Sequence, residues 1–185
     1  MAIKSTVFKA SLQIADMDRY YYADHALTLA QHPSETEERM MVRLTAFALY
    51  ANDALTFAQG ISNDDEPDLW QKDLTGAIQH WIVTGLPDER SIRRACGRAE
   101  QVTIVSYGRA ADIWWNENRS KLTRLDNLTV LRLPTDATQS LTKLVNRTMQ
   151  LQCTIQEGHL MITSDDGIVE IEPAIWHGSL PAVRI

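Results

Sequence analysis

The sequence predicts an α/β fold, a compact single domain with a mixed β-sheet flanked by helices and extended by extra β-hairpins. Short runs rich in β-branched residues alternate with amphipathic segments between positions 76 and 133, which implies right-handed crossovers and parallel central strands. The length of 185 residues suits one domain, and 44% hydrophobic with 23% charged residues is typical of a folded protein. Residues 1–185 are therefore predicted to form a single domain.

The first fifty residues predict a β-hairpin followed by a long helix. Residues 3–15 read as a strand, "ADMDR" as a turn, and "YYYADHALTLAQH" as a returning strand, although its alanines also allow a helix. A helix over 34–58 is predicted from Ser34 as N-cap and Glu37 as its capping-box partner. The apolar stripe of this helix is formed by Met41, Leu44, Ala48, Ala51 and Leu55.

The middle of the chain alternates strands and helices. A strand is predicted at 76–84, a helix over 88–99, a strand at "QVTIVSYG", a helix at "RAADIWWNENRSKL" and a strand at "NLTVLRLP". The run "QVTIVSYG" is short, largely apolar and rich in β-branched residues, which is typical of a strand covered on both faces.

The C-terminal part is predicted to be a helix followed by hairpins. The helix spans "TDATQSLTKLVNRTM", with Thr135 or Asp136 as its cap. A terminal hairpin turns around Gly158, and "SDDG" indicates a further turn.

Composition excludes several classes of function. The formal charge of −6 argues against a protein that coats nucleic acid nonspecifically, although a local basic groove stays possible. The two cysteines, Cys96 and Cys153, are too few for a disulfide framework or a zinc site and are expected to be buried free thiols. Phosphate-loop, dinucleotide-binding, serine-hydrolase and zinc-protease motifs are absent from the sequence.

The sequence also predicts a protein with neither a signal peptide nor a membrane-spanning segment. Lys4 and Lys9 interrupt the N-terminal apolar residues, which argues against a signal peptide. No stretch of about 18 apolar residues occurs. A cytoplasmic location is the expectation.

An acidic stretch at 64–68, ending in Pro67 and Asp68, is the first candidate site. Magnesium prefers hard oxygen ligands, and residues two apart on a strand share one face. On the strand at 76–84, one face is predicted to carry Ala77, Gln79, Trp81 and Val83, and the other Ile78, His80 and Ile82. The alternative interpretation of the acidic stretch is a solvated turn.

Glu38 is the second candidate. It precedes Met41 by three positions and is therefore predicted to lead the buried stripe towards the sheet, whereas Glu35 is expected to pair with Arg39 on the solvent face. A buried carboxylate needs a partner or an ion. The alternative is that Glu38 pairs with an arginine or reaches water at the helix start.

Basic and aromatic residues offer a possible path for phosphates and bases. Arg90, Arg94 and Arg98 form an i, i+4, i+8 row on the predicted helix, which is typical either of a phosphate path or of a solvated face. Trp114 and Trp115 suit base stacking or, more commonly, a core. The five histidines show no metal-ligand spacing.

Five stretches of the chain are long and unusual in composition: "HPSETEERMMVRL", "DDEPDLW", "WIVTGLPDERSIRRAC", "IWWNENRSKL" and "RTMQLQCTIQEG". They resemble the bacterial YaeQ family, and the likeness covers nearly the whole chain. The resemblance implies a restriction-endonuclease-like core, similar to that of the PD-(D/E)XK nuclease superfamily. It defines no activity, and an association with transcription elongation implies a transcription-related protein as a possible partner.

Carried onto this chain, the superfamily pattern implies a variant metal site. It places the first acid at Asp68 and the helical acid at Glu38, while Gln79 takes the place of the second acid and Trp81 that of the lysine. Arg93 or Arg94 on the following helix is then the hypothetical replacement for the lysine. The expected activity is hydrolysis of nucleic-acid phosphodiesters with Mg²⁺ weakly bound by Glu38, Asp68 and Gln79, and the alternative is a module that binds nucleic acid or a transcription partner without catalysis.

Overall fold

The structure, a computed structural model, describes residues 4–59 and 65–182. Asp64, which opens the predicted acidic stretch, lies outside the described residues. The prediction of an α/β domain with mixed sheets flanked by helices is confirmed, but the strands form two sheets where the sequence predicted one. The second sheet is built from the hairpins that were predicted as additions.

Eleven strands, four α-helices and one 3₁₀ turn are assigned within the described residues. In chain order they are β1 Thr6–Asp16, β2 Tyr21–Gln31, α1 Glu37–Tyr50, β3 Leu55–Phe57, β4 Leu69–Lys72, β5 Ile78–Thr84, α2 Glu89–Arg98, β6 Ala99–Ser106, α3 Ala111–Leu122, β7 Leu128–Arg132, α4 Thr135–Leu141, the 3₁₀ turn Thr142–Leu144, β8 Thr148–Gln156, β9 His159–Ser164, β10 Gly167–Ile171 and β11 Ala174–His177.

The two sheets have different topologies. The five-stranded sheet has the order β10-β9-β8-β1-β2, and its only parallel pair is β1 with β8. The six-stranded sheet has the order β11-β7-β6-β5-β4-β3, with β5, β6 and β7 parallel at its centre. The predicted parallel centre is therefore confirmed in the six-stranded sheet.

Helix α1 lies in the core between the two sheets. Its residues 40–49 are all buried, and the larger hydrophobic cluster joins the inner face of the five-stranded sheet to α1, α4 and one face of the six-stranded sheet. A second cluster covers the opposite face of the six-stranded sheet with α2 and α3 and includes Trp114 and Trp115, as the core interpretation of these residues predicted. The six-stranded sheet is thus covered on both faces, which explains its continuous apolar strands.

Helix α1 is shorter than the predicted 34–58. Thr36, not Ser34, is its N-cap, and the Thr36 hydroxyl accepts a hydrogen bond from the Arg39 N–H at 3.1 Å. Ser34 instead contacts the ring of His32. The helix ends at Tyr50 because Asn52 closes a turn, its side chain accepting from the Ala54 N–H at 2.8 Å, and β3 follows.

The remaining boundaries follow the turn chemistry of the sequence. The returning strand β2 is a strand and not a helix, since Leu27 and Leu29 alternate inward against α1. The predicted hairpin turn has Glu157 and Gly158 at φ 51° and 76°, the left-handed pair that a tight hairpin requires. The helix predicted over 135–149 ends at Leu141 and has no side-chain cap, and β8 begins at Thr148.

Both cysteines are free thiols, Cys153 buried and Cys96 half-buried. Burial raises the pKa of Cys153 to about 12 and that of Cys96 to about 11, so neither is an activated thiol.

Within residues 4–59 and 65–182, no helix has both the length and the apolar character needed to cross a membrane.

Candidate functional site

Asp68 lies just before β4, and both of its carboxylate oxygens are already used. One oxygen accepts from the Thr84 N–H at 2.7 Å and from the Thr84 hydroxyl at 3.0 Å. The other accepts from Nη2 of Arg39 at 2.7 Å. Asp68 is only 4% exposed, so these donors replace the water that its charge would otherwise need.

Arg39 links Asp68 to a second buried carboxylate. Its Nη1 donates to Glu35 at 2.9 Å, and Glu35 also accepts from Nη2 of the buried Arg43 at 2.6 Å. The predicted Glu35–Arg39 pair is therefore confirmed, but its predicted place on the solvent face is wrong, because Glu35 is 6% exposed. Burial would lower the pKa of Arg39, but Asp68 and Glu35 outweigh it and raise that pKa.

Glu38 and Tyr107 complete the surroundings of Arg39. Glu38 is half-buried, and burial raises its pKa. Tyr107 directly follows β6, and burial is the main cause of its raised pKa. Arg39 acts to lower that pKa, whereas the nearby carboxylates, Glu38 first among them, raise it further. We call the group the Arg39 cluster, and it consists of Glu35, Glu38, Arg39, Asp68, Thr84 and Tyr107.

Gln79 does not join the Arg39 cluster. Its side-chain oxygen accepts from Gln71 at 2.7 Å, and Gln71 in turn accepts from Asn52 at 2.8 Å. Gln79 precedes Thr84, the partner of Asp68, by five residues along β5, which is about 16 Å at the usual rise of a strand. The structure brings Glu38 and Asp68 to one cluster and leaves Gln79 at the other end of the strand.

A β-bulge explains why Gln79 leaves the face on which the sequence predicted it. Gln71 is opposite His80, but the next residue, Lys72, is opposite Ile78, so Gln79 has no partner in the ladder. The extra residue reverses the alternation, and Ile78 packs in the same hydrophobic cluster as Trp81. The prediction that Ile78 lies on the opposite face from Trp81 is therefore wrong.

Strand β5 contributes apolar side chains to the surroundings of Asp68. Leu69 is opposite Ile82, and the Asp68 N–H donates to the Ile82 carbonyl at 3.0 Å. Val83, which follows Ile82, lines the same cavity as Asp68, as does Trp81. The side chains that β5 contributes to this cavity therefore include no second carboxylate.

A cavity of about 710 Å³ opens beside Asp68, between the six-stranded sheet and α2. Its floor is apolar and is formed by residues such as Trp81, Val83 and Ile92. The ionisable residues of its lining are Arg39, Arg90, Arg94, Glu66, Asp68 and Asp88. Three cations face three anions there, so any ligand must be held by local contacts rather than by a net positive field.

The two arginines proposed as lysine replacements differ in position. Arg94 lines the cavity together with Asp68 and lies 3.7 Å from Asp65. Arg93 pairs with Glu89 one helical turn earlier and does not line the cavity. Arg98, the end of the predicted row, lies over the Trp81 ring with its guanidinium carbon 5.0 Å from the ring centre.

In their present arrangement these residues do not fit Mg²⁺. Across residues 4–59 and 65–182, no three His, Cys, Asp or Glu side chains come together in a way that could hold a metal ion. The Arg39 guanidinium contacts the Asp68 oxygen that a cation would need, and this half-buried side chain already balances both Asp68 and Glu35.

Comparison with known proteins decides the family. The profile of the YaeQ protein family matches residues 1–173. The chain belongs to the YaeQ family. It is 44% identical over 177 residues to the uncharacterized protein YaeQ of Escherichia coli K12, an alignment that covers 95% of this chain and 98% of that protein.

Two solved YaeQ structures have the same fold. The crystal structure of YaeQ from Xanthomonas axonopodis pv. citri has 48% sequence identity to this chain and a TM-score of 0.92. The alignment covers 95% of this chain and 99% of the Xanthomonas chain. The structure of YaeQ from Pseudomonas syringae is 35% identical with a TM-score of 0.91 and covers 95% and 97%.

In this member of the YaeQ family, four residues of the Arg39 cluster escaped the sequence interpretation as site residues: Glu35, Arg39, Thr84 and Tyr107. A signal for two of them was present, because Glu35, Arg39 and Arg43 recur at spacings of four and so lie on one face of α1. No local pattern marks Thr84 or Tyr107, since each reaches the cluster only through the six-stranded sheet.

Proposed function

We propose that this YaeQ-family chain is a non-enzymatic module that binds single-stranded nucleic acid in the cavity beside Asp68. The proposal takes the order α1-β3-β4-β5-α2-β6 as a nuclease-like core whose metal position is occupied by a side chain. The observation that carries it is the Arg39 guanidinium, which lies 2.7 Å from Asp68 and 2.9 Å from Glu35. A fixed cation there neutralises the acids without any metal ion.

The cavity supports a strand with unstacked bases. Trp81 is only 5% exposed and Arg98 lies over its ring, so a base would stack on the Arg98 guanidinium above Trp81 and not on the indole itself. Arg90, Arg94 and Arg98 are exposed and follow one side of α2, where phosphates would pass. A duplex fits less well, because its binding relies on a broad positive field that a lining of zero net charge lacks.

Fluorescence anisotropy with labelled single-stranded DNA and RNA, in the presence of EDTA, tests the proposal. Arg94→Ala should weaken binding several-fold and lower the slope of log affinity against log salt by about 1. Arg93→Ala is the matched control, since it removes the same charge from the same helix but outside the cavity. Absence of binding at low salt, or equal losses in both variants, contradicts the proposal.

A second candidate is Mg²⁺-dependent hydrolysis of phosphodiesters, and one observation favours it. Glu38 and Asp68 belong to one cluster, and burial raises the pKa of Glu38, a perturbation that is common among carboxylates of functional sites. Hydrolysis requires Arg39 to leave Asp68 first, after which Glu38 and Asp68 would supply the carboxylates and Arg94 the basic group. Gln79, the third ligand implied by the superfamily pattern, would have to come from the far end of β5.

Calorimetry with Mn²⁺ separates the two candidates. Under the binding proposal, the wild type shows no Mn²⁺ heat and no metal-dependent cleavage of DNA or RNA. Arg39→Ala should then gain Mn²⁺ affinity, and adding Glu38→Gln to it should abolish that gain. Cleavage by the wild type that Mg²⁺ stimulates and Glu38→Gln removes would establish hydrolysis in place of the binding module.

A further inference from the structure

Strand β2 forms one edge of the five-stranded sheet, and its backbone directions follow from the bonds of β1. The Lys9 N–H donates to the Arg147 carbonyl at 2.9 Å and the Met17 N–H to the Ile155 carbonyl at 2.8 Å. Odd-numbered residues of β1 therefore direct their backbone groups to β8, and even-numbered ones to β2. Because Phe8 is opposite Leu29 in an unbroken antiparallel register, the odd-numbered residues of β2 complete those bonds.

The even-numbered residues of β2 consequently direct their N–H and C=O groups away from the sheet. Arg43 agrees with this parity, since its Nη2 donates to the Ala30 carbonyl at 3.1 Å. No strand among residues 4–59 and 65–182 pairs with the outer edge of β2. A cleft of about 440 Å³ lies between His25–Thr28 and the segment that includes β3, and the even-numbered residues from 22 to 30 are exposed.

This edge lacks the features that usually protect an edge strand. Such strands are normally short, bulged, or interrupted by proline or lysine. Strand β2 is 11 residues long, pairs with β1 without a bulge, and contains neither proline nor lysine. Asp24 is its only carboxylate.

When β2 pairs with a second copy of itself about its midpoint, no like charges lie opposite one another. With Ala26 on a two-fold axis, Asp24 of one copy is opposite Thr28 of the other, and the two Asp24 side chains stay about 13 Å apart along the strands. A register centred on Asp24 would instead oppose the two carboxylates directly, which is destabilising. The Ala26-centred register allows roughly six new backbone hydrogen bonds from three outward-facing pairs.

We propose that β2 pairs antiparallel with β2 of a second copy of this chain, with Ala26 at the two-fold axis. The pairing joins the two five-stranded sheets into one continuous ten-stranded sheet. It leaves the Arg39 cluster of each copy outside the new contact, so the proposal does not depend on the proposed function.

Ala26→Pro is the direct test, because it removes an outward N–H and leaves the bonds between β1 and β2 in place. Sedimentation of the wild type at high micromolar concentration should give the dimer mass, and Ala26→Pro should give the monomer mass with an unchanged circular dichroism spectrum. Ala26→Val keeps the N–H and should remain dimeric. A monomeric wild type, or a dimer that survives Ala26→Pro, overturns the proposal.

Thiol cross-linking tests the register and needs no variant that disturbs the backbone. In a Cys96→Ser background, Ala26→Cys should give a covalent dimer with a short bismaleimide, since paired residues have Cα atoms about 5.5 Å apart. Tyr22→Cys is the control, because its two copies would lie about 26 Å apart. Equal cross-linking at positions 22 and 26 contradicts the Ala26-centred register.

Discussion

The two ends of the β4–β5 hairpin carry polar networks of opposite kinds. Asp68 at one end is a buried charge held by Arg39 and Thr84. Gln79 at the other end belongs to a neutral relay in which Asn52 donates to Gln71 and Gln71 donates to Gln79. The comparison teaches that neutral amides can satisfy one another, whereas a buried charge requires an opposite charge at a fixed distance.

The largest expected effect is at the charged end. Asp68→Ala leaves the Thr84 N–H without its acceptor and removes one of the two carboxylates that balance Arg39. We expect the free energy of unfolding to fall by about 3 kcal/mol or more, measured by urea denaturation. Asp165→Ala, an exposed aspartate on the β9–β10 turn, is the control and should stay within about 0.5 kcal/mol. A similar small loss for Asp68→Ala would show that the network contributes little.

The neutral end should respond to acid through His80. Its ring contacts the Thr103 hydroxyl at 2.8 Å and the edge of Tyr50, and burial lowers the pKa of His80 from 6.5 to about 4. The unfolded chain therefore binds a proton that the folded chain excludes, and stability falls as the pH drops from about 6.5 towards 4. The loss is at most about 3 kcal/mol.

Unfolding measured at several pH values checks this effect. His80→Gln should remove that part of the pH dependence, while His159→Gln, at an exposed histidine, should retain it. If His80→Gln unfolds with the same pH dependence as the wild type, the burial of a neutral His80 is not the cause.

A smaller effect is expected where the neutral relay ends. Gln79→Ala removes one acceptor from the half-buried Gln71, which should cost about 1 kcal/mol of unfolding free energy. Nucleic-acid binding should be unchanged, since Gln79 lies away from the cavity. If Gln79→Ala loses nucleic-acid binding in the anisotropy assay while its fold is intact, Gln79 is part of the binding site.

The smallest effect is expected at the margin of the charged end. Because burial raises the pKa of Glu38, its ionised form is disfavoured by folding, and stability is lost as the pH rises through that pKa. Glu38→Gln lacks this loss and should be slightly more stable than the wild type at pH 7, with a smaller difference at pH 4. A variant that is less stable at pH 7 would mean that ionised Glu38 has a favourable partner.

Much of the fold was predictable from local patterns. Helix α1, the strands β5 to β7 and the hairpin at Gly158 follow from periodicity and turn residues, which act over a few neighbours. The predicted bounds of α1, 34 and 58, were wrong, since the helix begins at Glu37 and ends at Tyr50. Such bounds depend on which hydroxyl or amide closes a turn. Ser34 was predicted as the cap from its spacing to Glu37, whereas the structure uses the Thr36 hydroxyl, which accepts from the Arg39 N–H.

The candidate site was predictable only in part. Asp68 and Glu38 were identified from the sequence, and both belong to the Arg39 cluster. Gln79 was placed with them by the superfamily pattern that the resemblance implies, and the strand alternation predicted for its face did not include the bulge opposite Gln71 and Lys72. A single extra residue changes the face of every position before it, and a periodicity of two contains no signal for where that residue falls.

The sequence by itself determined the α/β class and the parallel centre of the six-stranded sheet, and it pointed to Asp68, which lines the cavity. Tertiary structure alone decided that the hairpins form a second sheet and that Arg39 joins Asp68 to the buried Glu35. The physical reason is the distance along the chain over which each kind of interaction acts. Hydrophobic periodicity and capping act within a few residues, whereas the partner of a buried charge is chosen by whichever donor the packed elements bring within about 3 Å.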